Sequence, residues 1–92
     1  MSIQWLFDVI EDRKQNPSEN SYTASLFREG LPKIAQKVGE EGTEVVVAAL
    51  AQDDQRLIEE VADLTYHTLV LLSARNINPD QIFAELEKRH RN

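Results

Sequence analysis

Two pairs of acids stand at helical spacing in this chain, Glu41-x-x-Glu44 and Glu60-x-x-Asp63, each inside a stretch where apolar residues recur every three or four positions. On a helical wheel turned by about 100° per residue, Ile34, Val38, Val45 and Ala48 share one stripe, and Glu41 falls near its centre. Lys37 and Glu44 lie on one flank of that stripe, with Glu40 further round on the same side. An ionised carboxylate aimed at a core is costly unless it is paired or bound to metal. The second stretch puts Leu57, Val61, Leu64, Thr68 and Leu71 on one stripe, with Glu60, Asp63 and His67 along its edge.

If the two stretches are antiparallel helices joined by a short loop, Glu41 and Glu44 face Glu60 and Asp63 and converge on one point. Mutual repulsion would separate or protonate such a set unless a hard cation sat among the oxygens. Oxygen-only donors suit Mg2+, with Mn2+ as the alternative, and an ion of this kind keeps open positions for water and phosphate. The plainer reading makes these four a surface edge paired with Lys37 or Arg56, and the clustering argues against it. For Glu59, Asp53 and Asp54 the plain reading, solvated surface or caps, is preferred, while Glu40 divides between surface and site. His67, one turn beyond Asp63, is expected to be a partly buried, hydrogen-bonded histidine.

Elements that could position these acids follow from the caps and breakers. Ser2 can cap a first helix running through Trp5, Leu6, Val9 and Ile10 to about Lys14, where Asn16-Pro17 stops it. Ser18 to Gly30 reads as a polar connection with a helical turn at Thr23 to Arg28, and Leu31-Pro32 opens a long helix to about Gln52. Asp53-Asp54 breaks that helix and caps the next, from about Gln55 to Arg75. Asn76 suits a left-handed stop, and Asn78-Pro79 starts a last helix to about His90. Trp5, Phe7, Phe27 and Phe83 read as packing residues, His90 as exposed, and Lys88, Arg89 and Arg91 as complements to the negative end of the last helix. The fold class is therefore all-α: an antiparallel hairpin core with extra N- and C-terminal helices.

Ninety-two residues suffice for one domain, spanning 1–92, and too few remain for a second core. The absence of cysteine removes disulfides, thiolate zinc sites and thiol nucleophiles, and fits a cytoplasmic protein. Asp8, Glu11 and Asp12 interrupt the apolar N-terminus before a signal-peptide core or membrane span is complete. A formal charge of -6 argues against nucleic-acid binding. The negative charge is local: from Glu40 to Asp63 there are eight carboxylates against one arginine, Arg56, a net -7, and the remainder of the chain sums to +1. Val61, Ala62, Leu64, Leu69, Val70, Leu71 and Leu72 give one helix more apolar circumference than so short a chain can cover. A homodimer pairing two hairpins as a four-helix bundle is expected, with Leu69 on the face buried between subunits.

Taken together, Glu41-x-x-Glu44 and Glu60-x-x-Asp63 match the ExxE…ExxD signature of the all-α, MazG-like nucleotide pyrophosphohydrolases. The upstream stretch SYTASLFREGLPKIAQKVGEEGTEVVVAAL resembles the N-terminal half of the phosphoribosyl-ATP pyrophosphatases, with Ser21-Tyr22-Thr23, Gly30, Lys33 and Lys37 in order. The similarity runs from about Leu6 to the C-terminal helix and leaves no room for the fused cyclohydrolase domain of some relatives. Gly42 departs from the alanine common at that place, and with Gly39 weakens the helix by roughly 1 kcal/mol per glycine.

The resemblance implies hydrolysis of 1-(5-phosphoribosyl)-ATP between its α and β phosphorus atoms, releasing pyrophosphate, in histidine biosynthesis. A water held at the metal site or by a glutamate would attack, and Glu40, Glu41, Glu44, Glu60 and Asp63 are the catalytic set implied, the last four as metal ligands. Tyr22, Thr23, Lys33 and Lys37, and after them Arg13 and Arg28, are drawn from the basic and hydroxyl groups available to hold phosphates. Two other functions compete: a housekeeping nucleoside triphosphate pyrophosphohydrolase of the same superfamily, and a non-catalytic dimerisation module. The Ser21 to Lys37 segment argues against the first, and Glu41 on an apolar stripe against the second.

Overall fold

A computed structural model describes residues 1–91 and contains five helices: α1 (Ile3–Gln15), α2 (Tyr22–Glu29), α3 (Leu31–Ala51), α4 (Asp54–Ala74) and α5 (Pro79–Arg89). Among the described residues there is no strand, and no helix is long and apolar enough to cross a membrane.

Side-chain caps explain where the helices start. Ser2 accepts from the Trp5 amide at 3.0 Å, Ser21 from Ala24 at 3.1 Å, Asp53 from Arg56 at 2.9 Å, and Asn78 from Asp80 at 3.1 Å. The stops are equally local. Gly30 at φ 96 turns the chain from α2 into α3, in a conformation that an L side chain would strain. Asn76 at φ 58 ends α4 in a Schellman motif: the Ile77 amide donates to Leu72 O at 2.9 Å and the Asn76 amide to Ser73 O at 3.0 Å. The expected left-handed stop is therefore observed, and α2 is a full two-turn helix where a single turn was expected.

Helices α3 and α4 form the antiparallel hairpin, and α1 and α2 close one side of it. Phe7 and Ile10 of α1, Leu26 of α2, Ile34 of α3 and Leu69 and Val70 of α4 make one core. Lys14 reaches from α1 to the end of α4, donating to Ser73 O at 2.8 Å and pairing with Glu11 at 3.2 Å.

Several expectations need correction. The deepest residues of α4 are Glu60, His67, Leu69, Val70 and Ser73, while Val61 is 43% exposed. The buried face is thus rotated towards what was read as the edge, because α4 is apolar around most of its circumference and pattern alone leaves its phase open. Leu69 lies in the chain's own core and is 4% exposed, so it does not wait for a second subunit. Among the exposed apolar residues, Val46, Val47 and Leu50 on α3 and Ile58 and Val61 on α4 lie towards the hairpin loop, while Ile82, Phe83 and Leu86 are exposed on α5. Phe7 is buried and Phe27 packs on the core, but Trp5 and Phe83 are half exposed, Phe83 lining an apolar cavity with Ile3, Leu64 and Leu72.

Candidate metal centre

Because α3 and α4 run antiparallel from the two-residue break at Gln52-Asp53, Glu41 is carried to the same level as Glu60 and Asp63. One carboxylate oxygen from each of these three lies within 4.8 Å of the other two. Glu60 is buried, Glu41 half-buried and Asp63 exposed, so the group opens from the helix interface to solvent. Burial holds the Glu41 carboxyl above the usual glutamate range; the charge of Asp63 adds to this, as does Glu60, partly offset by His67 and Lys37.

Arg56 meets the buried oxygen of Glu60 at 2.5 Å and also pairs with Glu59. One guanidinium thus balances Glu60 from the exposed side, and among the described residues no cation forms an ion pair with Glu41. The donor set fits a small divalent cation: acceptor-only oxygens from three carboxylates converge, and only Glu60 among them is paired with a guanidinium.

Glu44, one turn beyond Glu41, is exposed and outside this group of three. Glu40 is exposed as well and accepts from Gln36 Nε2 at 2.7 Å. That hydrogen bond, helped by Lys37 and Lys33, holds its carboxyl below the usual range. Lys37 sits 3.7 Å from Glu40, and Lys33, like Lys37, is half-buried on the first two turns of α3. Arg13 is exposed and pairs with its neighbour Asp12 at 2.8 Å. Arg28 is exposed in the last turn of α2 and forms no ion pair among the described residues.

The α2 N-terminus comes to the carboxylate-bearing helix directly. Tyr22 Oη lies 3.1 Å from His67 Nε2, while Thr23 Oγ1 bonds the hydroxyl of Tyr66. His67 Nδ1 lies 2.9 Å from the Asp63 carbonyl, and the ring is 5% exposed, as expected of a hydrogen-bonded core histidine. Tyr66 went unnoticed in the sequence, although it stands three residues after Asp63 and shares that helix face. Burial pushes its phenol above the ordinary range, so it stays protonated at neutral pH.

A family model described as phosphoribosyl-ATP pyrophosphohydrolase matches residues 4–90. Among similar proteins is a phosphoribosyl-ATP pyrophosphatase of Lacticaseibacillus casei, 57% identical over 88 residues, spanning 96% of this chain and 80% of the relative. One from Clostridium botulinum is 54% identical over 87 residues, with 95% and 79% covered, and one from Sulfolobus acidocaldarius is 46% identical over 87 residues, with 95% and 92% covered.

Proposed function

The chain belongs to the phosphoribosyl-ATP pyrophosphohydrolase family, and from that membership we propose that it hydrolyses the α–β phosphoanhydride of 1-(5-phosphoribosyl)-ATP to 1-(5-phosphoribosyl)-AMP and pyrophosphate, the second step of histidine biosynthesis. One observation carries the reading. Proteins bearing that enzyme's name match nearly the whole chain.

Glu41, Glu60 and Asp63 would hold Mg2+, or Mn2+ in its place, with Glu44 as the fourth carboxylate one turn away. When bound, the cation neutralises phosphate charge and the charge that builds on the leaving pyrophosphate. The protein's own groups orient the rest. Lys33 and Lys37, on the first turns of α3, would bind phosphate oxygens that the carboxylates would repel, and Tyr22 and Thr23, at the start of α2, would do so through their backbone amides, since their hydroxyls are engaged with His67 and Tyr66. Glu40 keeps Lys37 close to the site through their ion pair.

The active species is a homodimer in this reading, supported by the uncovered apolar residues of the hairpin; Leu50 alone is 84% exposed. Two hairpins packed on that face would make a four-helix bundle. The absence of cysteine supports a cytoplasmic location. Assaying the purified protein with Mg2+ on phosphoribosyl-ATP beside ATP and dUTP tests the substrate. Preferential turnover of phosphoribosyl-ATP is the expected result, and preference for dUTP would favour the housekeeping alternative.

A further inference from the structure

Helix α2 packs mainly on α1 and α3, and it meets α4 through side chains at its N-terminal end. Two consecutive residues of α2 engage two consecutive residues of α4: Tyr22 pairs with His67, and Thr23 with Tyr66. The three rings form one cluster. Tyr22 stacks on Tyr66 at 6.3 Å, and His67 stands edge-on to both, at 6.1 Å and 5.0 Å.

The ring nitrogens of His67 have distinct jobs. A carbonyl can only accept, so the contact from Nδ1 to Asp63 O at 2.9 Å places the proton on Nδ1. When the ring carries only that proton, Nε2 accepts from the Tyr22 hydroxyl at 3.1 Å. The Asp63 carbonyl sits in the same turn that presents the Asp63 carboxylate to Glu41 and Glu60. Tyr22 itself is 54% exposed, so its ring faces solvent while its hydroxyl is held from behind.

We propose that His67 is a positioning residue for the reaction: it ties the Tyr22 hydroxyl to the turn of α4 that carries Asp63, setting where the substrate-holding start of α2 stands relative to the carboxylates. This rests on the hydrolytic reading above, in which the start of α2 holds substrate. His67 acts through Tyr22 and touches no reacting atom. Its loss therefore weakens substrate binding more than turnover.

The test is a double-mutant cycle of Tyr22→Phe and His67→Phe, read as KM and kcat with phosphoribosyl-ATP and Mg2+. Each single change removes the same hydrogen bond, so each should raise KM by about three- to tenfold with a smaller change in kcat, and the double variant should be no worse than the worse single. Tyr22→Phe alters a half-exposed residue and leaves the core intact, and should His67→Phe fail to fold, the cycle is closed with His67→Leu, which also lacks an acceptor. His67→Gln retains an acceptor and should recover most of the lost affinity. Additive effects, or a loss of thermal stability with KM unchanged, would overturn the proposal and leave His67 a packing residue. The imidazole tautomer, read from nitrogen chemical shifts, is independent of activity. The Nδ1–H form is expected, and an Nε2–H form would overturn the assignment. An inactive wild type would overturn the hydrolytic reading and the positioning role together, whereas an active wild type with additive variants would overturn the positioning role alone.

Discussion

The α3–α4 hairpin carries two surfaces that a single chain leaves unfavourable, for opposite reasons. On one, three carboxylates converge at the helix interface, one of them buried, and burial together with like charge raises the pKa of Glu41. On the other, Val46, Val47, Leu50, Ile58 and Val61 face water. The first surface concentrates charge where apolar groups would pack better, and the second exposes apolar groups where charge would be cheaper. Each defect describes what relieves it: a small cation in the first case, a matching apolar face in the second. A domain this small has little stability to spare, so both features are better understood as binding surfaces than as errors of packing.

The largest expected effect separates the two surfaces outright. Glu41→Gln keeps the shape of the side chain but weakens it as a ligand, so activity should fall by at least on the order of 100-fold, the upper end of what losing an outer partner costs a metal site. The circular dichroism spectrum and sedimentation should not change. A dissociated Glu41→Gln protein would show that the carboxylate face and the apolar face are one structural unit.

The complementary variant is Leu50→Asp, at a position that is 84% exposed among the described residues. Burying a leucine is worth about 1.5–3 kcal/mol, so the change should weaken dimerisation at least about tenfold and leave the monomer folded. Sedimentation at micromolar concentration reads this directly. A wild type that is already a fully active monomer would remove the dimer from the comparison. Leu69→Glu should instead unfold the protein, since Leu69 is a core residue of the single chain.

Smaller effects sharpen the carboxylate side. Lys33→Ala should raise KM several-fold with less change in kcat, because a phosphate-holding lysine away from the reacting phosphorus contributes mostly uniform binding. An unchanged KM would take Lys33 out of the site. The smallest effect is on the pH dependence of stability without divalent cation. The folded-state pKa of Glu41 is raised, so folded protein binds this proton more tightly than unfolded protein does. Its contribution is full below the ordinary glutamate value of about 4.3 and is lost as pH rises through the raised value. Glu40 works in the opposite sense and at lower pH, since its pKa is lowered. Melting temperature in EDTA should therefore fall less steeply across the upper window in Glu41→Gln than in wild type, and parallel curves would contradict the assignment.

How much of this the sequence discloses depends on whether a feature is local. Ser2, Ser21, Asp53 and Asn78 cap their helices through hydrogen bonds to amides two or three residues on, and Asn76 needs only its own backbone to adopt φ 58. Such features are readable because the partner is a few residues away. Glu41 is readable for a related reason, as its neighbours on α3 fix an apolar stripe and the acid interrupts it. The phase of α4 is not readable in the same way. An all-round apolar helix offers several equivalent faces, and the choice of Leu69 and Val70 as core depends on α1 and α2 arriving from far away in sequence. Tyr66 and His67 belong to the same class, since only the fold shows that Tyr22 and Thr23 lie opposite them.

The central claim, that the convergent carboxylates work as a cation site in phosphoribosyl-ATP hydrolysis, is tested most directly by measuring turnover of that substrate against free Mg2+. Turnover should rise saturably with Mg2+, vanish in excess EDTA and return when Mg2+ or Mn2+ is restored. Undiminished turnover in excess EDTA would contradict it.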